Sequence, residues 1–90
     1  MSSPYSLEGK KAFVTGGKRR IGRGIALALA ETGCDVGIND LTRDQDSEET
    51  LRLIRAGGRQ AEIFEGDISD ASQVERMFAL YLQRFGRIDI

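Results

Sequence analysis

Residues 15–24, TGGKRRIGRG, decide the fold that the sequence predicts. The stretch is rich in glycine, like a loop that holds a phosphate, yet four of its ten residues are basic. Three interpretations are open: a nucleotide-binding loop, a basic patch for nucleic acid, or a solvated turn. The surroundings favour the first, because an apolar run at residues 11–15 precedes the stretch and a helical pattern begins at Arg20.

A strand, a glycine-rich turn and a helix together form an anion site. The amino end of a helix carries unpaired N–H groups and the positive end of the helix dipole. Glycine lets the backbone approach a pyrophosphate that a Cβ would obstruct. Thr15-Gly16 and Ile21-Gly22 supply this frame. The spacing is neither G-x-G-x-x-G nor a Walker A pattern, so the residues alone predict a phosphate-binding turn of another type.

Strands and helices alternate along the rest of the chain. Apolar runs predict strands at residues 11–15, 35–39 and 60–66, and a fourth strand begins at residues 87–90. This order, βαβαβαβ, predicts a parallel sheet with right-handed helical crossovers. The residues expected to line its core are Val14, Ile38, Ile63 and Ile88.

Periodicity and capping residues predict three helices. The first is indicated by helical spacing of Ile21, Ile25, Ala28, Leu29 and Thr32, and it ends at Gly33. Asp46 and Glu49 predict the capping box of the second helix, in which Leu51 and Ile54 face inward. Asp70 with Gln73 caps the third helix, which ends at Gly86 and carries the apolar stripe Val74, Met77, Phe78, Tyr81, Leu82 and Phe85.

Composition limits the class of protein. Ninety residues suit one domain at most, and a net charge of −1 argues against a nucleic-acid partner. The single cysteine, Cys34, leaves no disulfide framework and is expected in the core. Neither a secretion signal nor an apolar run of membrane-spanning length is present, so a soluble cytoplasmic protein without a membrane partner is expected. No metal site is predicted.

The stretch TGGKRRIG resembles the T-G-x-x-x-G-x-G cofactor motif of the short-chain dehydrogenase/reductase family. The resemblance runs from about Gly9 to Ile90, because GKKAFVTGG, DVGIND, EGDISDASQV and RFGRIDI fall where that family has its successive strands. Bacterial 3-oxoacyl-[acyl-carrier-protein] reductases and glucose or polyol dehydrogenases are the most similar members. The implied fold class is α/β, the N-terminal βαβαβαβ portion of a doubly wound Rossmann fold with three αβα layers.

The family implies an NAD(P)-dependent oxidoreductase that transfers hydride between a nicotinamide and a carbonyl or alcohol. A homo-oligomer, a tetramer by family analogy, is implied as well. The family's catalytic Ser and Tyr-x-x-x-Lys have no counterpart in residues 1–90, so no catalytic residue is assigned. We therefore interpret residues 1–90 as the N-terminal part of an NAD(P)-binding domain, with residues 1–9 as a flexible lead-in. The alternatives are a non-catalytic dinucleotide-binding or redox-sensing module and an NADPH-dependent pteridine-reductase-like enzyme.

Ten cofactor-binding residues follow from the resemblance: Gly16, Lys18, Arg19, Arg20, Ile21, Gly22, Asp40, Leu41, Asp67 and Ile68. Arg20 replaces the middle glycine of the family motif, as in pteridine-reductase-like members. An arginine there costs more than glycine if the backbone is left-handed, and it brings a guanidinium to the pyrophosphate or to a 2′-phosphate.

Asp40 leads us to expect NAD, with NADP as the alternative. Its carboxylate can accept hydrogen bonds from the adenosine ribose and would repel a 2′-phosphate. Arg19, Arg20 and Arg43 favour NADP, since guanidinium pairs well with phosphate. The resemblance also makes Asp67 the partner of the adenine amino group and Ile68 an apolar wall. Both aspartates have a second interpretation, Asp40 as a turn former and Asp67 as a cap of the turn before the third helix.

Overall fold

The computed structural model describes residues 6–16 and 20–90 and contains one parallel sheet. Strands and helices alternate as β1 (Lys11–Thr15), α1 (Arg20–Glu31), β2 (Asp35–Asp40), α2 (Gln45–Ala56), β3 (Ala61–Glu65) and α3 (Ala71–Phe85). Both strand pairs, β1 with β2 and β2 with β3, are parallel, so β2 lies in the middle. The alternating α/β order is as expected, whereas Lys18 and Arg19 of the predicted site lie outside the described residues.

The predicted fourth strand is not formed as a regular element. Residues 87–90 run beside β1, where the Asp89 amide donates to the Lys11 carbonyl at 2.8 Å and the Phe13 amide donates to the Ile90 carbonyl at 3.0 Å. The ladder does not extend back to Arg87, because the Lys11 amide donates to the Asp89 carboxylate at 2.8 Å, while the Arg87 carbonyl accepts from the Tyr81 hydroxyl at 2.8 Å. Ile88 is 41% exposed, so its placement in the core was wrong.

Two hydrophobic clusters cover the two faces of the sheet. Val14, Ile38 and Ile63 are buried as predicted, on the face where α1 and α2 pack. Cys34 is buried in the same cluster, and burial raises the pKa of its thiol. Phe13 and Phe64 point to the other face and pack against α3. Helices on both faces of a parallel sheet define a doubly wound, three-layer arrangement.

Gly37, in the middle of β2, lets α3 approach the sheet closely. A Cβ on Gly37 would lie 2.7 Å from two ring carbons of Tyr81, closer than real Cβ contacts allow. Of the predicted apolar stripe of α3, Met77, Tyr81 and Phe85 are buried. The predicted stripe also includes Phe78 and Leu82, which are not buried, since they are 37% and 47% exposed.

The helix α1 forms as predicted, and Leu29 of its predicted apolar face packs against the core, but the start of that face does not. Ile21 and Ile25 are 82% and 49% exposed, whereas Ala26 is fully buried. A small residue at the contact lets the helix lie close to the sheet. Arg23 fixes the rotation, because its Nε donates to Thr50 Oγ1 at 2.8 Å and its Nη2 donates to the Asp46 carbonyl at 3.0 Å.

The capping box of α2 begins two residues before the predicted one. Asp44 accepts from the Ser47 amide at 3.2 Å, and the Ser47 hydroxyl accepts from the Asp44 amide at 2.8 Å. Asp46 therefore lies in the first turn, not at the cap. The α3 cap was predicted correctly, since the Asp70 side chain accepts from the backbone amides of Ser72 and Gln73.

Across the described residues, no helix combines the length and the apolar character needed to cross a membrane.

Candidate functional site

A cleft of about 360 Å³ opens where the three strands end. Its volume lies within the range of small-molecule sites, about 300–1,000 Å³. In parallel α/β sheets, ligands bind outside the carboxyl ends of the strands, which is where this cleft lies. Eight of the described residues line it: Thr15, Gly16, Asn39, Asp40, Leu41, Gly66, Asp67 and Ile68.

Five of the ten residues predicted to bind a cofactor meet at this cleft. They lie at or just after the carboxyl ends of three different strands, which parallel pairing brings to one edge of the sheet: Gly16, Asp40, Leu41, Asp67 and Ile68. Arg20, Ile21 and Gly22 form the start of α1 and do not line the cleft. Cofactor binding by any of these residues stays a prediction.

The two aspartates of the cleft are ordered by their own turns. Asp40 Oδ1 accepts from the Leu41 amide at 2.9 Å. Asp67 Oδ1 accepts from the Ser69 amide at 2.9 Å and from its hydroxyl at 2.7 Å. The hydrogen bonds from Ser69 lower the pKa of Asp67. The interpretation of these aspartates as turn residues is thus compatible with a place in the cleft.

Apolar side chains accompany both carboxylates. Leu41 and Ile68 are 65% and 59% exposed, although each is a large hydrophobic residue. Exposed apolar groups beside carboxylates suit a ligand that combines a flat ring with a hydroxylated sugar, because the ring can cover the hydrocarbon while the hydroxyls donate to the carboxylates.

Asn39 connects the three loops that form the cleft, and sequence reasoning missed it. It is only 3% exposed. Its carbonyl accepts from the Gly16 amide at 2.7 Å, and its side-chain Nδ2 donates to the carbonyls of Phe64 and Gly66 at 3.1 and 3.0 Å. The signal in the sequence was a polar residue at the end of an otherwise apolar strand.

Arg20 begins α1 with a left-handed backbone. Its φ is +55°, and among the residues that the structure describes it is the one non-glycine residue with a positive φ. Gly16, at the end of β1, has a φ of +64° that glycine adopts without cost. The expected penalty for arginine in place of the motif glycine therefore has a geometric basis.

Arg43 is held by acidic residues outside the cleft. Its Nε lies 2.5 Å from Glu48 Oε1, and its Nη1 lies 3.4 Å from Glu62 Oε1. The hydrogen bond to Glu48 raises the pKa of Arg43 and lowers that of Glu48. Arg43 is not among the residues that line the cleft.

A second cleft, of about 350 Å³, lies at the opposite end of the sheet, between the carboxyl ends of α1 and α2. Arg59, which lines this cleft, donates from Nη1 to Glu8 Oε1 at 3.0 Å and to the Gly33 carbonyl at 3.2 Å. None of the eight predicted site residues that the structure describes lines this cleft. Within the described part of the chain, no group of three acidic, histidine or cysteine side chains is placed to hold a metal ion.

Comparison with known proteins assigns the family. The short chain dehydrogenase family model matches residues 10–90. A hydroxynaphthalene reductase-like protein of Metarhizium anisopliae is 41% identical over 88 residues, which are 98% of this chain and 33% of that protein. An uncharacterised oxidoreductase of Bacillus subtilis is 44% identical over 85 residues, which are 93% of this chain and 28% of that protein.

Solved structures share the fold. A short-chain type dehydrogenase/reductase from Mycobacterium marinum superposes with a TM-score of 0.87 at 29% identity, covering 94% of this chain and 34% of the other. A hydroxysteroid dehydrogenase from Escherichia coli gives 0.88 at 28% identity, covering 96% and 36%. The chain spans about a third of the length of the curated relatives it matches. Because the family model covers all but its first nine residues, the chain belongs to the short-chain dehydrogenase family.

Proposed function

We propose that the cleft binds the adenosine half of a nicotinamide dinucleotide, and that the intact protein is an oxidoreductase acting on a carbonyl or alcohol. The observation that carries this proposal is the convergence of Gly16, Asp40 and Asp67 at one edge of the sheet, in a chain of this family. When bound, the nicotinamide supplies a hydride donor or acceptor. We interpret the chain as the N-terminal part of the dinucleotide-binding domain, and we expect a homo-oligomer, a tetramer by family analogy.

Each lining residue has a role that its chemistry suits. Asp40 accepts hydrogen bonds from the 2′- and 3′-hydroxyls of the adenosine ribose, and Asp67 accepts from the adenine amino group. Leu41 and Ile68 contact the adenine ring. The start of α1, with Ile21 and Gly22 and the basic residues Lys18, Arg19 and Arg20 that precede them, offers N–H groups and positive charge to the pyrophosphate.

We infer a preference for NAD over NADP. The Asp40 carboxylate repels a 2′-phosphate, which carries nearly two negative charges. Arg43, which the sequence offered as a phosphate partner, is already paired with Glu48 and Glu62. Recruiting it to a phosphate would break these exposed ion pairs. Asp40 therefore decides the preference.

The test measures dissociation constants of NAD and NADP for the intact protein in one buffer. We expect tighter binding of NAD, and we expect Asp40→Ala to narrow the difference by about 1–3 kcal/mol, the size of a charge-assisted contact. Glu65→Ala is the matched control, because Glu65 is the register partner of Asp40 in β3 and does not line the cleft. Tighter binding of NADP by the wild-type protein would refute the preference.

The substrate is proposed only as a class. The similar proteins carry names that refer to different substrates, a hydroxynaphthalene and a hydroxysteroid. We would measure whether the intact protein consumes reduced cofactor with ring ketones or with 3-oxoacyl thioesters. The thioesters are the substrates that the sequence resemblance implies. Dinucleotide binding without turnover on either would instead support a non-catalytic module.

A further inference from the structure

We propose that Asn39 is a positioning residue for dinucleotide binding, which holds residues 66–68 in the shape that presents Asp67 and Ile68 to the cleft. This inference rests on the proposed function, because it assigns the residues that follow β3 to the adenine side of the ligand. Asn39 acts through backbone carbonyls of that segment.

The hydrogen bonds of the side chain span the end of β3. Asn39 is the register partner of Phe64, and its Nδ2 donates to the Phe64 carbonyl at 3.1 Å. The same Nδ2 donates to the Gly66 carbonyl at 3.0 Å, one residue beyond the strand, and contacts Met77 Sδ at 2.9 Å. Two carbonyl acceptors fix the amide orientation, since the flipped rotamer would place Oδ1 against both oxygens.

Gly66 is held from both of its backbone polar groups. Its amide donates to the Asp40 carbonyl at 3.0 Å, while its own carbonyl accepts from Asn39. The next amide, that of Asp67, donates to Gln73 Oε1 at 2.9 Å. Loss of the Asn39 contact leaves these other two in place, so we expect the segment to shift rather than to unfold.

A small shift of this segment is sufficient to weaken binding. Asp67 and Ile68 directly follow Gly66, and both line the cleft. A misplacement of about 1 Å at a binding group can cost about 100-fold in function. Without the Asn39 donor, the buried Gly66 carbonyl loses that partner and moves towards another donor or water.

The test compares Asn39→Leu and Asn39→Asp with Tyr81→Phe in the intact protein. Leucine removes the donor at similar size, and aspartate removes it with nearly the same shape. Tyr81→Phe is the matched control, because it also removes one side-chain donor to a backbone carbonyl, that of Arg87, outside the cleft. The ligands are NAD, AMP for the adenosine half and nicotinamide mononucleotide for the other half, and the unfolding free energy is measured alongside.

We expect the Asn39 variants to bind NAD and AMP about 10- to 100-fold more weakly and nicotinamide mononucleotide unchanged. Tyr81→Phe should lose stability with wild-type affinities. Wild-type AMP affinity in a folded Asn39 variant, or equal weakening for both halves, would overturn the proposal.

If neither variant folds, hydrogen exchange in the wild-type protein provides the test. The Asn39 side-chain amide should exchange slowly and become slower with AMP. Fast exchange that AMP does not affect would overturn the proposal. A wild-type protein that binds none of the ligands refutes the proposed function itself.

Discussion

Replacing Arg20 with glycine should stabilise the protein. Arg20 begins α1 with a φ of +55°. A left-handed backbone costs an L-residue about 1–2 kcal/mol. Glycine avoids that cost but loses more conformational entropy on folding, about 0.5–1 kcal/mol relative to alanine within a helix. The unfolding free energy of Arg20→Gly should therefore exceed that of the wild-type protein by about 0.5–1 kcal/mol.

Arg20→Ala is the control that separates the backbone from the charge. Alanine has the same left-handed penalty as arginine but lacks the guanidinium. Because Arg20 is exposed, we expect the alanine variant to match the wild-type stability within about 0.5 kcal/mol. A loss of NAD affinity in Arg20→Ala measures the contribution of the guanidinium charge to binding. The difference in affinity between Arg20→Ala and Arg20→Gly measures the contribution of the backbone conformation.

Denaturant unfolding and calorimetric titration with NAD and NADP provide the two measurements. If Arg20→Gly proves less stable than Arg20→Ala, the backbone at this position is not left-handed and the reasoning fails. If both variants bind both cofactors with wild-type affinity, Arg20 is not part of the cofactor site, and its interpretation as a residue of a solvated turn is correct.

Three further predictions concern the packing and capping of the helices. Gly37→Ala should lower the unfolding free energy by about 1–3 kcal/mol, because its Cβ would overlap the Tyr81 ring; wild-type stability would contradict this packing. Burial raises the pKa of Tyr81 to about 12, so the unfolded state ionises first as the pH rises, and stability should be lost between about pH 10 and 12. Alkaline denaturation followed with Tyr81→Phe, which should lack this contribution, checks the effect; identical pH profiles would exclude it. Asp44→Ala should lower the unfolding free energy by about 0.5–2 kcal/mol, because Asp44 caps α2, and Asp46→Ala should lower it less. If chemical unfolding shows the larger loss for Asp46→Ala, Asp46 is the cap, as the sequence predicted.

Local signals predicted most of the fold. The bounds of β1, the cap of α3 at Asp70 and the glycine at its end follow from neighbouring residues in the chain, so one sequence contains them. The buried face of α1 does not follow in this way. Ile21 and Ile25 have the stronger hydrophobic pattern, but the distance between helix and sheet selects Ala26 for the contact.

The candidate site likewise combines features that the sequence predicts with features that depend on tertiary contacts. Its residues at the strand ends were named from the family resemblance, and they converge because parallel strands share one carboxyl edge. Their binding roles stay predictions until a ligand is measured. The contacts of Asn39 join residues that lie 25 and 27 positions apart, and no periodicity or motif predicts a pairing of that kind.

The strength with which arginines near the cleft could bind a 2′-phosphate depends more on the groups that they already contact than on their number. The sequence places several arginines near the glycine-rich turn, and a count of them favours a phosphate at the 2′ position. Of the three arginines that favour NADP in the sequence, Arg19 lies outside the described residues, Arg20 begins α1, and Arg43 is paired with Glu48. The Arg43 guanidinium thus has a competing partner, and a 2′-phosphate would gain only the difference between its own attraction to Arg43 and that of Glu48. The Asp40 carboxylate lines the cleft while it accepts from the Leu41 amide, and we expect its negative charge to repel that phosphate. For this reason Asp40 outweighs Arg43 in the inferred preference for NAD.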